Sequence, residues 1–137
     1  MSQYFANLYL TYFDHWLKEV KRVKYCFRYA DDIVILGSTK EYLHALLAEM
    51  REYLTVKLKL EIKGNYQIFP VAVRGIDFVG YVFFHTHILL RKTIKTSFAR
   101  MMYNRRNQRS FGAYNGWLKH CNGKHLMKKI LYKKLID

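Results

Sequence analysis

The chain has 137 residues, 51% of them hydrophobic and 17% aromatic, with a single Pro and a net charge of +14. That length holds one compact domain or two subdomains sharing a core, and the apolar content excludes a disordered chain. Residues 1–90 carry 11 Lys/Arg against 9 Asp/Glu and residues 91–137 carry 13 against 1, so the positive excess is a C-terminal property. Such one-sided charge favours a polyanion partner over an acidic membrane surface, because the cations are spread over several helical segments instead of lining one amphipathic helix.

Apolar residues at Phe5, Leu8, Tyr9, Tyr12, Phe13, Trp16, Leu17 and Val20 repeat with helical spacing and predict a first helix with a wide aromatic face. A long hydrophobic helix with no run-in suggests a chain that lacks an N-terminal partner segment. Two β-forming runs follow, from Tyr25 to Tyr29 and from Asp32 to Leu36, and they predict a hairpin with Asp31 and Asp32 at its tip. Ser38 to Glu41 fits a capping box, with Ser38 as the cap of a helix whose apolar face holds Leu43, Leu46, Leu47, Met50, Tyr53 and Leu54. Leu58, Leu60 and Ile62 alternate as a further strand, ended by a turn at Gly64 and Asn65. Residues 76–84 read as one long strand in which Gly80 marks a bulge or a close backbone approach, with a return strand at 87–90.

From Arg91 the apolar period becomes helical. Ile94, Phe98, Met101 and Met102 predict one helix, Tyr114, Trp117, Leu118 and Cys121 a second, and Leu126, Ile130, Leu131 and Leu135 a third. A polar connector spans residues 104–110, and Asn122 with Gly123 forms a helix stop. The expected class is therefore α+β: an antiparallel sheet with packed helices over residues 1–90, then a basic all-helical part over 91–137. Cys26 and Cys121 supply neither a disulfide framework nor ligand spacing and read as reduced packing residues. No apolar run approaches the ~20 residues of a membrane span and no secretory pattern is present, so a cytoplasmic location is expected.

Two readings meet at the acidic pair. Asp is a good turn former, so Asp31 and Asp32 fit a solvent-facing turn; two adjacent anions also suit a hard cation such as Mg²⁺ or Mn²⁺. The pair His85 and His87 alternates on one strand face, as two metal ligands would, but with no third ligand nearby in sequence it reads more readily as an exposed edge. Trp117 reads as a core anchor, Tyr81 as a packing residue or a ligand contact, and His120 and His125 carry no assignment.

Four motifs together resemble one family. Tyr29-Ala30-Asp31-Asp32 in its hairpin, the helix Ser2-Gln3-Tyr4-Phe5-Ala6-Asn7-Leu8-Tyr9-Leu10, Phe78-Val79-Gly80-Tyr81, and Gly116-Trp117-Leu118-Lys119-His120 are similar, in order and spacing, to bacterial reverse transcriptases of the group II intron and diversity-generating retroelement type. The resemblance implies the C-terminal part of a palm subdomain followed by a helical thumb. It implies that Asp31 and Asp32 are catalytic ligands of a two-ion Mg²⁺ or Mn²⁺ centre that joins a primer 3′ oxygen to a nucleotide phosphate. Tyr29 would then contact the primer backbone, Ala30 would lie near the incoming nucleotide, Gln3 would face the template, and Gly80 and Tyr81 would hold the primer end. Arg105, Arg106, Lys124, Lys128 and Lys129 would grip the RNA template and DNA primer duplex through its phosphates.

The chain also departs from the pattern. The family's further carboxylate, on a strand before the Ser-Gln helix, has no counterpart in this sequence, and the positions where relatives carry Asn and Lys after the third strand hold Lys63 and Tyr66. The sequence thus predicts an incomplete metal site and a chain inactive alone, with a non-catalytic nucleic-acid-binding module or a self-associating remnant as the alternatives.

Overall fold

The computed structural model describes residues 3–104 and 108–128. The fold is α+β, with two small antiparallel sheets, and it divides into two compact units, residues 1–69 and 70–137. The sequence places the boundary at 90/91. The structure places it earlier because the strands after residue 75 share a core with the helices that follow. The charge asymmetry survives the new boundary: 10 Lys/Arg against 8 Asp/Glu in residues 1–69, and 14 against 2 in residues 70–137.

In the first unit the aromatic stripe forms α1 (Gln3–Tyr9), α2 (Thr11–His15) and a π-helical turn at Trp16–Val20. Arg22, at φ 53°, ends the run in the left-handed conformation, where a cap residue lets the chain reverse. The hairpin strands are β1 (Tyr25–Tyr29) and β2 (Asp32–Leu36), with the bounds that the sequence predicts. Their register pairs Cys26 with Ile35 and Arg28 with Ile33 on the inward face, and Tyr25 with Leu36 and Phe27 with Val34 on the outward face. Helix α3 (Lys40–Tyr53) follows, and its cap is Thr39, whose hydroxyl accepts from Tyr42 N at 3.2 Å. The capping box expected from Ser38 is therefore shifted by one residue, which removes Glu41 from the reciprocal position.

The strand expected at 58–62 does not form. Helix α3 runs into a π-helical turn at Leu54–Leu58, Lys59 adopts the left-handed conformation, and Leu60 N donates back to Leu54 O at 3.1 Å. The alternating Leu58 and Ile62 serve as apolar anchors of an irregular segment against the core. That core consists of Phe13, Leu17, Val23, Leu46, Met50 and Leu54, all buried, with Trp16 stacked on Tyr53 at 4.6 Å. Each fully buried large side chain contributes about 1.5–3 kcal/mol, which fixes the helices behind the hairpin.

The second unit begins with a short α4 (Val71–Arg74). The predicted long strand is instead a tight hairpin, β3 (Ile76–Phe78) and β4 (Tyr81–Phe83), because Val79 at φ 47° and Gly80 at φ 83° make a two-residue turn. Positive φ at both central positions is the turn that matches strand twist. Strand β5 (Ile88–Leu90) completes the sheet as expected, and α5 (Lys92–Asn104) and α6 (Gln108–Lys119) follow. The connector is shorter than residues 104–110, since α6 already includes 108–110, and Cys121 sits in the turn just past α6. Asn122 stops the helix by exchanging hydrogen bonds with Ile88: its backbone N donates to Ile88 O at 2.8 Å and its Oδ1 accepts from Ile88 N at 2.9 Å. Residues 124–128 are again helical; Ile130, Leu131 and Leu135 of the third predicted helix lie outside the described residues. Leu90, Phe98, Met102 and Leu118 form this unit's core.

Candidate functional site

The turn that joins β1 to β2 is as short as an antiparallel hairpin allows: Tyr29 pairs with Asp32, leaving Ala30 and Asp31 as the loop. Ala30 stands at φ 53° while Asp31 does not, so only the first loop position is left-handed. Glycine usually fills that position, and an alanine there costs about 1–2 kcal/mol. Strain of this size at a polar turn persists only where neighbours over-determine it.

Arg28 supplies that constraint. Although it faces inward on β1, it is engaged at all three nitrogens: Nε donates to both oxygens of Asp14 on α2 at 2.9 and 3.1 Å, Nη2 to Asp14 Oδ2 at 2.5 Å, and Nη1 to Asn7 Oδ1 on α1 at 3.0 Å. Nη1 also donates to the carbonyl of the strained Ala30 at 2.9 Å. The hydrogen bond to Asp14 holds the guanidinium above its already high pKa, outweighing the opposite effect of burial. The sequence reading passes over this clamp. Its signal was a charged residue on the inward side of an alternating strand, with Asp14 as an acid set within an otherwise apolar helical stripe.

The clamp leaves the two carboxylates at the tip. Asp31 is 83% exposed, and its ionic neighbour among the described residues is Lys63, itself 81% exposed, with Nζ 3.9 Å from Oδ2. At that distance and exposure the pair contributes little to stability. Asp32 shares the outward face with Tyr29. Among the described residues no group of three His, Cys, Asp or Glu side chains converges as a metal site. That applies equally to His85 and His87: His87 stacks on Phe84 at 4.6 Å and its Nδ1 bonds with Thr86 Oγ1 at 2.9 Å.

Beside the turn lies an open groove of about 490 Å³, walled by Tyr4, Asn7 and Thr11 from the helices and by Arg28, Tyr29 and Ala30 from the hairpin. Its rim is aromatic and wet, with Tyr4 70% and Tyr29 55% exposed. Gln3 opens α1, and its side chain lies outside the described residues.

Gly80 and Tyr81, in the second unit, have a different setting. A Cβ on Gly80 would lie 2.6 Å from the Trp117 ring, so the glycine is required by close approach as well as by its φ. Tyr81 donates its hydroxyl to Trp117 O at 3.1 Å, and partial burial raises its pKa. Both residues thus pin the β3–β4 turn against α6, and Trp117 is the anchor that its sequence suggests. Burial also raises the thiol pKa of Cys121 and, in the first unit, of Cys26, as suits packing residues.

Lys124 and Lys128 are exposed one helical turn apart. Asp77, the acid of the second unit within the described residues, pairs with Arg91 Nε at 2.6 Å. Arg105, Arg106 and Lys129 lie outside the described residues.

The chain matches no known protein-family model, and it matches no curated protein. No helix among the described residues is long and apolar enough to cross a membrane.

Proposed function

We propose that this chain is the C-terminal palm and thumb portion of a reverse transcriptase, an RNA-directed DNA polymerase of the bacterial retroelement type, working in the cytoplasm. The observation that carries the reading is the hairpin itself: the Tyr29-Ala30-Asp31-Asp32 segment closes β1 and β2 through a two-residue loop and presents both carboxylates to solvent. A chain that needed only a solvated turn has no use for a strained alanine held by a clamped arginine.

The donor set suits Mg²⁺ or Mn²⁺, since both carboxylates are hard oxygen ligands and both are open to a ligand from outside. Asp31 and Asp32 would hold the ion, and such an ion supplies charge stabilisation and alignment in nucleotidyl transfer. Two carboxylates without a third protein ligand hold Mg²⁺ weakly, because few donors remain to enforce octahedral geometry. The chain by itself is accordingly assigned binding without synthesis. The cations of residues 70–137 hold the template–primer duplex through its phosphates, independent of sequence.

Fluorescence anisotropy with a labelled RNA–DNA hybrid, run beside a primer-extension assay, tests this. The expected result is binding that weakens steeply with salt, weakens further when Lys124 and Lys128 are neutralised, and is accompanied by no extension. Asp31-dependent extension by the chain alone overturns the assignment of inactivity, and absence of binding at low salt overturns the whole reading.

A second reading, a non-catalytic nucleic-acid-binding module, is favoured by one observation: 14 of the 24 basic residues fall in residues 70–137. On that reading Asp31→Asn leaves Mn²⁺ binding in the duplex complex unchanged. The exposed Phe5 and Tyr12, at 60% and 75%, would instead support self-association, which light scattering at rising concentration detects.

A further inference from the structure

The groove beside the acidic turn contains one polar group whose orientation is fixed and whose donors are unused. Arginine carries no acceptor, so the Asn7 atom that faces Arg28 Nη1 at 3.0 Å is the amide oxygen. Nδ2 is therefore the end of the amide that the guanidinium leaves free, and Asn7 is one of the residues that wall the groove. Its two N–H groups meet no acceptor among the described residues. The backbone of Asn7 is fixed as well, because its carbonyl accepts from Thr11 Oγ1 at 3.2 Å. An exposed amide whose oxygen is held by Arg28, in a groove that it shares with the strained Ala30 and two exposed tyrosines, is an oriented donor open to an acceptor from outside.

We propose that Asn7 donates from Nδ2 to an acceptor on the minor-groove side of a nucleotide seated in this groove, and so registers the end of a nucleic-acid strand against Asp31 and Asp32. This rests on the polymerase reading above. The acceptor chemistry is shared by purine N3 and the ribose 2′ hydroxyl. Base acceptors of this kind occur on every base pair, so the contact carries position without sequence preference. Arg28 acts here as a positioning residue: by holding Oδ1 it decides which end of the amide stays free, and with the same Nη1 it holds the Ala30 carbonyl.

The test uses the full chain and a fluorescein-labelled hybrid duplex with a recessed 3′ end, measured by anisotropy. Purines at the terminal pairs are replaced in turn by their 3-deaza analogues, and in a separate arm terminal ribonucleotides are replaced by deoxynucleotides. Each series is run on the wild type and on Asn7→Asp, which keeps an acceptor for Arg28 and removes both donors. For the wild type, one of these replacements weakens binding about 3–10-fold, the range of one hydrogen bond. For Asn7→Asp the same replacement changes binding by less than about 1.5-fold, a fraction of one hydrogen bond, while thermal stability is unchanged or raised. Repulsion from the added carboxylate cancels in this ratio, because it weakens natural and altered duplexes alike. The deaza arm and the deoxy arm say which acceptor is read. Duplex binding with no replacement sensitive to Asn7 overturns this inference and leaves the polymerase reading standing; no duplex binding at all overturns both.

Discussion

The two tight hairpins of this chain use the same device to opposite ends. In the first unit, β1 and β2 close on Ala30 and Asp31, with the carboxylates in water and the strain held from behind by Arg28. In the second, β3 and β4 close on Val79 and Gly80, and the Trp117 ring packs over Gly80 while Val79 stays exposed. A turn pinned by a ring from its own unit is a structural joint, whereas the open, charged and strained one is where the proposed function is placed.

Exchanging the small residues of the two turns gives the largest expected contrast. Gly80→Ala forces a Cβ to 2.6 Å from the Trp117 ring at φ 83°, and is expected to destabilise the second unit by about 2–4 kcal/mol. Ala30→Gly relieves strain at φ 53° and is expected to be neutral or stabilising by up to about 1 kcal/mol. Urea denaturation read at each unit's own tryptophan, Trp16 or Trp117, measures both. Equal effects at the two turns would break the comparison.

Arg28→Met keeps the bulk and removes the clamp, stranding Asp14, which is 36% exposed, without its partner. The expected loss is about 1–3 kcal/mol, discounted for that exposure, and confined to the first unit. A smaller effect separates the two caps proposed for α3. Thr39→Ala should cost about 1 kcal/mol because the Thr39 hydroxyl holds Tyr42 N, while Ser38→Ala should change little.

The smallest effect is with pH. Cys26, Cys121 and Tyr81 hold their protons more firmly when folded, each chiefly because burial disfavours the charged form. The unfolded chain releases those protons first, so it binds fewer of them above the ordinary thiol value of 9.0. The stability that these three groups contribute should therefore decline as pH rises past 9 toward and beyond the tyrosine's ordinary 10.0. Thermal melts across that range check the direction.

The acidic hairpin is legible in the sequence because every determinant is local: alternation on each arm, and two residues between them. The helical stripes of α3, α5 and α6 are legible for the same reason. Residues 76–84 mislead because Val79 is β-branched and reads as strand, yet it occupies φ 47°, a conformation such residues rarely adopt. Residues 58–62 mislead because Leu58 and Ile62 are apolar for packing against a helical core, which alternation alone does not distinguish from a sheet. The clamp of Arg28 on Asp14 and Asn7 joins residues 14 and 21 positions apart, so no periodic pattern announces it.

The central claim is that Asp31 and Asp32 form an open metal-binding tip that works on nucleic acid. Mn²⁺ titration of the chain in complex with the recessed hybrid duplex, followed by paramagnetic broadening of backbone NMR signals, tests it most directly. The account predicts broadening centred on residues 29–33, weak without duplex, strengthened with it, and abolished in Asp31→Asn. Broadening elsewhere, or a pattern at the hairpin that Asp31→Asn leaves unchanged, would contradict it.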